Sequence, residues 1–438
     1  MNKIEKLIAE LCPNGVEWKK LGEVCEIVMG TSPSGNTISS SPHNGIEFHQ
    51  GKSFFGNKFL QHSNLFTTSP IKIAKPGSIL MSVRAPVGDT NITDRLVAIG
   101  RGLCSIIGQN STQTQFIYYY LKTFINKIKK KSTGSTFEAI NTNDVISIPI
   151  PIPPLPIQEE IVKILDTFTE LEAELEAELE ARKKQYEYYR NKLLTPVEHK
   201  GRWFLNGVEV EWKKLGEVGT LIRGSGLQKK DFVPEGVGCI HYGQIYTYYG
   251  NFADKTISFV SETLAKKFKK AKKGDVLISG VSENVEDICK PLGWFGDEIC
   301  ISGDMFAFRH NQNTKFITYL LQTSDFKKYK ERYAQGTKVI RVKSEKILEY
   351  NIPLPPLSEQ ERIVAILDKF DALVNDLTAG LPAEIKARRK QYEYYRNKLL
   401  NFNRYHCRID SHRENCKDDY HRENCKGDYH RENCKGDS

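Results

Sequence analysis

Apolar residues recur every three or four positions through Ile157, Ile161, Ile164, Leu165, Phe168, Leu171, Leu175, Leu179, Tyr186, Tyr189 and Leu193. They do so again through Ile363, Ile366, Leu367, Phe370, Leu373, Leu377, Leu381, Ile385, Tyr392, Tyr395 and Leu399. This spacing predicts two long amphipathic helices, each with one apolar stripe. Both patterns close on one block, Ala181-Arg-Lys-Lys-Gln-Tyr-Glu-Tyr-Tyr-Arg-Asn-Lys-Leu-Leu194. Its copy at Ala387–Leu400 differs only in Arg389 for Lys183.

The rest of the chain is duplicated in outline. Asn14-Gly15 and Asn206-Gly207 predict turns into short strands that carry Trp18 and Trp212. Lys75-Pro-Gly-Ser-Ile-Leu-Met-Ser82 and Lys272-Lys-Gly-Asp-Val-Leu-Ile-Ser279 each read as a breaker followed by a buried strand. Phe116, Ile117, Tyr119 and Leu121, matched by Phe316, Ile317, Tyr319 and Leu321, predict a helix. The exits Ile148–Pro156 and Ile352–Leu357 are dense in proline and predict stiff extended connectors. A helix then starts at Ile157 and near Ser358, where Glu361 gives capping-box spacing.

The predicted class is α+β: two globular α/β-mixed domains separated by two long antiparallel helices, a coiled coil with a pseudo-twofold internal repeat. The boundaries are 10–155 and 204–356 for the globular domains, 156–196 and 357–402 for the helices, and 403–438 for a tail. The first helix steps in tetrads from Leu171 and the second in tetrads from Leu373, with one more in the second copy. A tetrad is worth about 6 Å of helix, so tetrad number is a means of setting length. Gly380 and Pro382 predict a break in the second helix, with Pro382 opening its last segment.

Charge adds direction. The net charge of +9 favours an anionic partner. The tail from Phe402 is neutral and repetitive, so the body carries all of the excess. Low apolar content predicts disorder for that tail. Its His-x-x-x-Cys pairs, such as His412/Cys416, could hold zinc, but a repetitive coding tract explains them more simply, and no metal site is assigned. The other cysteines are scattered without metal spacing, which suits reduced thiols and a cytoplasmic location. No apolar run reaches membrane-span length, so no membrane association is expected.

Catalytic patterns fail on inspection. Gly51-Lys-Ser53 lacks a correctly spaced glycine for a phosphate loop, and Gly224-Ser-Gly226 lacks the third glycine of a dinucleotide fingerprint. No Pro-Pro-aromatic motif of an amino-methyltransferase is present, so no catalytic residue is assigned. Binding signals are stronger. Basic runs lie at Lys127–Lys131, Lys266–Lys273 and Lys327–Arg332, and phosphate contact is their functional reading beside that of a solvated face. Candidate DNA-contacting residues are Thr31, Ser32, Ser34, Gln50, Lys52, Arg84, Lys130 and Ser135 in the first domain. In the second they are Arg223, Gln228, Tyr242, Gln244, Lys267, Lys270, Glu283, Asn284, Lys338 and Arg341. Tyr186, Tyr189, Arg190, Tyr392, Tyr395 and Arg396 are candidates for docking a protein partner.

The helices are nearly alike while the globular domains share little beyond framework strands. Alike surfaces that meet one thing twice, and unlike ones that meet different things, account for this mosaic. The Pro-Pro-Leu exit, Glu359-Gln-Glu-Arg-Ile-Val-Ala-Ile-Leu-Asp368, Leu377-Thr-Ala-Gly-Leu-Pro-Ala-Glu384 and the two Lys-Gln-Tyr-Glu-Tyr-Tyr-Arg blocks resemble the specificity subunit of type I restriction-modification enzymes. The resemblance covers about residues 10–402 and leaves the tail out. It implies two target-recognition domains, each reading half of a split, asymmetric sequence in double-stranded DNA, with the helices as spacer and assembly platform. It further implies two methyltransferase subunits and motor-nuclease subunits as partners. S-adenosylmethionine, ATP and magnesium would belong to those partners, and no cofactor is expected in this chain. The alternatives are a methyltransferase with an unrecognised site, stand-alone or fused, and a coiled-coil adaptor without a nucleic-acid role.

Overall fold

The computed structural model describes residues 3–41, 45–110, 112–131, 140–376 and 378–402, with the side chains of 126–131 left out. The chain divides into two compact units, Met1–Leu165 with Tyr395–Ser438, and Asp166–Tyr394.

In the first unit, four antiparallel strands run in the order Cys25–Met29, Leu103–Gly108, Ile79–Ser82, Thr90–Ile92. A five-stranded sheet is built around Ile46–His49 and Val97–Ile99, which pair in parallel. The predicted strand at Ile79–Ser82 is buried at every position, as its unbroken apolar run requires when both faces are covered. The helix Thr114–Lys131 packs on its sheet neighbours Thr90–Ile92 and Leu103–Gly108, with Phe116, Ile117, Tyr119 and Leu121 buried.

The second unit repeats this plan in different residues. Gly219–Arg223, Met305–His310, Val276–Ser279 and Pro291–Trp294 are neighbours in that order, and Val237–Ile240 pairs in parallel with Ile299–Ile301. The helix of the first copy is divided here into Thr314–Leu320 and Ser324–Tyr333. The Asn206-Gly207 turn joins Arg202–Leu205 to Val208–Glu209, with φ of 51° and 89° at its two central residues. Those positive angles are the ones a two-residue hairpin asks of an Asn-Gly pair.

The proline exits are not bare connectors. Pro149–Ile152 pairs antiparallel with Glu17–Lys20, placing Trp18 opposite Pro151. Asn351–Leu354 pairs in the same way with Glu211–Lys214, placing Trp212 opposite Pro353. A two-stranded ladder has only edges, so prolines are tolerated where their missing N–H faces outward. Chain entrance and exit are thus closed together in each unit, which accounts for the likeness of these segments.

Both helices start two residues or less from the expected positions, at Leu155 and Leu357. The capping box expected from Ser358 and Glu361 is not formed; Pro356 is the N-cap. Buried glutamines do the anchoring instead. Gln158 donates to Pro153 O at 2.7 Å and accepts from the Gln113 N–H at 2.9 Å. Gln360 donates to Pro355 O at 2.9 Å and accepts from the Asn313 N–H at 3.1 Å.

The first helix is continuous from Leu155 to Leu194, about 60 Å at about 1.5 Å per residue. The second is broken as expected, into Leu357–Asn375 and Leu381–Leu399, with Pro382 in the first turn of the latter. Within the second unit the two tracts run antiparallel. Phe168 meets Tyr392, Arg389 meets Glu172 (2.5 Å) and Glu176, and Tyr186 stacks on Phe370.

Candidate nucleic-acid interface

In each unit, three chain crossings meet where the two parallel strands end. In the first, Gln50 follows Ile46–His49, Gly100-Arg101-Gly102 follows Val97–Ile99, and Gly30-Thr31-Ser32 follows Cys25–Met29. Backbone bonds lock them together: Gly100 N to His49 O at 2.8 Å, Gly30 N to Leu103 O at 2.9 Å, Thr31 N to Ile99 O at 3.1 Å. Ser32 Oγ donates to Gln50 Oε1 at 2.9 Å and accepts from the Arg101 N–H at 3.3 Å. Gln50 and Arg101 are exposed at this junction.

The second unit builds the same junction. Ser302 N bonds Ile240 O at 3.2 Å, Gly224 N bonds Met305 O at 2.9 Å, and Ser225 N bonds Ile301 O at 3.1 Å. Glycine is required at Gly30 and Gly224, because an added Cβ would meet Gly100 O at 2.2 Å or Ser302 O at 2.0 Å. The frame is therefore common to both units, while the side chains on it differ. Arg223 stands where the first unit has Met29, His241 where it has Gln50, and Gly303-Asp304 where it has Arg101-Gly102.

Two adjoining depressions of about 420 and 280 Å³ open here in the second unit, and both include Arg223, Gly303 and Asp304. Gln228 and His241 border the first; Arg341 and Lys343 border the other. Arg223 Nε donates to Gly303 O at 3.1 Å, which fixes the guanidinium over the rim. Burial, helped by Lys229, lowers the pKa of His241 and favours its neutral form. Its Nδ1 accepts from the Gly243 N–H at 3.3 Å, leaving Nε2–H as the donor. A lining this polar suits base edges and phosphates better than a small apolar ligand.

Beneath the first junction, Glu47 is buried and accepts from Arg95 Nε (2.7 Å) and Nη2 (2.8 Å), the Ser63 N–H (2.6 Å) and His49 (2.9 Å). Burial pushes its pKa up, but the bonds from Arg95, Ser63, His49 and His62 outweigh this and hold it at about 2. Glu47 anchors the strand that presents Gln50.

Of the residues singled out from sequence, Thr31, Ser32, Gln50, Arg223, Gln228, Tyr242 and Arg341 converge on these junctions. Thr31, Ser34, Arg84, Lys267, Glu283 and Lys338 are exposed. Others are occupied within the fold. Gln244 donates to Ser258 Oγ at 2.7 Å and accepts from the His241 N–H at 2.8 Å, so it caps a helix instead of facing a ligand. Lys52 is paired with Asp89, and Lys270 with Glu298 at 2.8 Å. Asn284 is bonded to Asp287. Lys330, within a basic run, is buried and donates to Glu286 O and Ile288 O. The Lys130 side chain and Ser135 lie outside the described residues, as does the tail with its His-x-x-x-Cys pairs. Arg101, His241 and Asp304 were not singled out. Aligning the two copies on their framework strands would have found them, since each directly follows such a strand or its glycine.

The docking candidates also need correction. Tyr186 is 5% exposed, sandwiched between Phe370 and Tyr319, with its hydroxyl bonded to Asp371. Tyr189 stacks on Phe370 at 5.3 Å, and Tyr392 meets Phe168. Arg190 lies over the Tyr186 ring and donates to Gln322; Arg396 is buried and Tyr395 partly so. The apolar stripe faces inward and takes these residues with it. The exposed aromatics of the repeated block are Tyr188 and Tyr394, at 58% and 63%. Lys184, Glu187 and Lys192 around the first, and Lys390, Glu393 and Lys398 around the second, give identical exposed faces.

Among the described residues there is no cluster of metal-ligand type, and no helix is long and apolar enough to cross a membrane. The six cysteines among them are free and buried, and burial pushes the thiols of Cys25, Cys104, Cys239 and Cys289 up to about 12.

The family model for the type I restriction modification DNA specificity domain matches twice, at residues 13–181 and 207–387. The EcoR124I/EcoR124II type I restriction enzyme specificity subunit of Escherichia coli is 35% identical over 300 residues, 67% of this chain and 72% of its own length. A Haemophilus influenzae chain, S.HindORF215P, is 32% identical over 413 residues, 89% of this chain and 96% of its own. A solved chain from a study of type I R-M system assembly superposes with a TM-score of 0.61 at 19% identity, covering 89% of this chain and 98% of that one.

Proposed function

Since this chain belongs to the type I restriction-modification DNA specificity family, we propose that it is the non-catalytic subunit that selects the DNA sequence for such a complex. Each globular domain reads one half of a bipartite, asymmetric target in double-stranded DNA, and the helices hold the halves at a set separation. The observation that carries this reading is the doubled junction, one backbone frame fitted with unlike polar side chains. Two copies of one frame approach a regular duplex in the same way. Unlike side chains on it meet different bases, since Arg suits guanine and Gln suits adenine in the major groove. Lys267, Lys338, Arg84 and the exposed lysines of the basic runs supply phosphate contact, which positions without specifying.

The identical faces around Tyr188 and Tyr394 suit one kind of partner bound twice, here the methyltransferase subunits. Motor-nuclease subunits complete the assembly. S-adenosylmethionine, ATP and magnesium serve those partners, and the complex works in the cytoplasm.

The test is methylation mapping with the assembled complex. Arg223→Ala, Gln228→Ala and Arg341→Ala should each relax the motif within one half only. Each lost base contact should cost about 1–3 kcal/mol of discrimination. Methylation without regard to sequence by the unmodified complex would overturn the proposal.

A further inference from the structure

The larger depression of the second unit holds two opposite charges that do not pair. Arg223 ends the strand Gly219–Arg223, and its Nε is spent on Gly303 O at 3.1 Å. That bond orients the guanidinium and leaves its two Nη groups as an open fork, without a hydrogen bond or ion pair to any described residue. Asp304 comes directly after Gly303, and its carboxylate likewise has no hydrogen bond or ion pair with a described residue. Both are mounted on tightly bonded backbone. The turn through Asp304 is closed by Met305 N to Ser302 O at 3.0 Å, and Gly280 N donates to Asp304 O at 2.7 Å. Arg223 lies in strand register with Phe306, two residues further on. A donor fork and an acceptor thus stand side by side in a prepared arrangement.

The rest of the lining narrows what they can meet. Its floor is backbone and small side chains, Gly224, Ser225, Gly226, Ser302 and Gly303, which lets a base edge come close. The apolar side chain in the lining, Leu227, is 3% exposed and packs inward against Cys239 and Val260. The depression therefore offers no apolar surface to a thymine methyl group. Along its major-groove edge a G·C pair presents the N7 and O6 acceptors of guanine and then the N4 amine donor of cytosine. The Arg223 fork suits the first two and the Asp304 carboxylate the third. An A·T pair fits neither end: the adenine N6 amine would face the guanidinium, and the thymine O4 would face the carboxylate.

We infer that Arg223 and Asp304 together read one G·C pair in the half-site of the second domain, Arg223 taking the guanine and Asp304 the cytosine. This rests on the base-reading role given to the junction under Proposed function. The first unit has Met29 and Gly102 at these two places, so the pair belongs to one half of the target only.

Methylation mapping of assembled complexes, followed by methylation rates on duplexes carrying 7-deazaguanine, tests it. Arg223→Ala and Asp304→Ala should each lower discrimination about 5- to 150-fold at one and the same G·C pair, and leave every other position of the motif as it was. 7-Deazaguanine at that pair lacks the N7 acceptor. It should slow methylation by the unmodified complex and have no effect on the Arg223→Ala complex, a result that loss of folding could not give. No relaxation, relaxation at an A·T pair or at two different pairs, or an analogue effect that persists in Arg223→Ala, overturns the inference while half-site reading stands. Indifference of the unmodified complex to sequence overturns the reading under Proposed function as well. Should an alanine variant not assemble, Arg223→Lys, which keeps the charge without the fork, or Asp304→Gly, the residue the first unit has there, replaces it and is judged by the same outcomes.

Discussion

Glu47 shows how one side chain can hold a recognition surface without facing it. Its carboxylate joins Arg95, His49 and the Ser63 amide directly below Gln50. The folded pKa of about 2 lies below the ordinary 4.5, so its stabilisation is complete above about pH 4.5 and fades as pH falls toward 2. Glu47→Gln should cost about 3 kcal/mol at pH 7, because it removes the buried carboxylate that Arg95 grips with two N–H groups and leaves that guanidinium only the exposed Asp94. Calorimetric melts should show the gap from the unmodified chain narrowing between about pH 4.5 and 2; a gap independent of pH would refute the assignment. Gln158 and Gln360 have a similar role at the two helix starts, each fully buried with both ends of its amide used. Replacing either by Leu strands a buried N–H and a carbonyl and should cost about 1–3 kcal/mol in denaturant titration.

At the scale of elements, the repeated Tyr-Glu-Tyr-Tyr block divides into an inner and an outer face. Tyr186→Ala opens a hole between Phe370 and Tyr319 and should destabilise the second unit by about 3–5 kcal/mol. Tyr188→Ala with Tyr394→Ala should change stability by less than about 0.5 kcal/mol, yet weaken co-purification of the methyltransferase. Unchanged co-purification would remove these faces from the docking surface. The sequence made the helices, the break at Gly380 and Pro382, and the buried strands at Ile79 and Val276 legible, because each is written in local periodicity or local backbone chemistry. It misled at the same block, since a residue that continues an apolar stripe faces inward, and Tyr186 continues it. The proline exits were legible as extended chain but not as paired strands, for another reason. Their partners at Trp18 and Trp212 lie far back in the chain, and no local pattern announces a ladder closed over that distance. The junction was half legible: Gln50, Arg223 and Gln228 carry typical base-reading groups, whereas His241 and Asp304 acquire their place only from the pairing of Val237–Ile240 with Ile299–Ile301.

For the whole molecule, the closed ladders define where a recognition domain can be exchanged. Glu211–Lys214 and Asn351–Leu354 hold the second domain's ends in fixed register, Trp212 opposite Pro353, and the first domain uses the same device. A graft that keeps both strands and replaces Leu215–Tyr350 with the corresponding stretch of a relative therefore changes the junction but not its mounting. Gln360 accepting from the Asn313 N–H, Asp368 accepting from Lys315 and Tyr319, and Arg190 donating to Gln322 all cross that cut, so the graft must supply equivalent partners at positions 313, 315, 319 and 322. With that met, the complex should methylate a motif in which one half is the donor's, while the other half and the separation are unchanged. Non-specific DNA binding by the grafted complex should keep a log-affinity slope against log salt within about 1 of the original for each lysine or arginine gained or lost. A motif altered in both halves, or in separation alone, would mean that the domains do not read independently, and the division of labour between unlike junctions and like helices would fail.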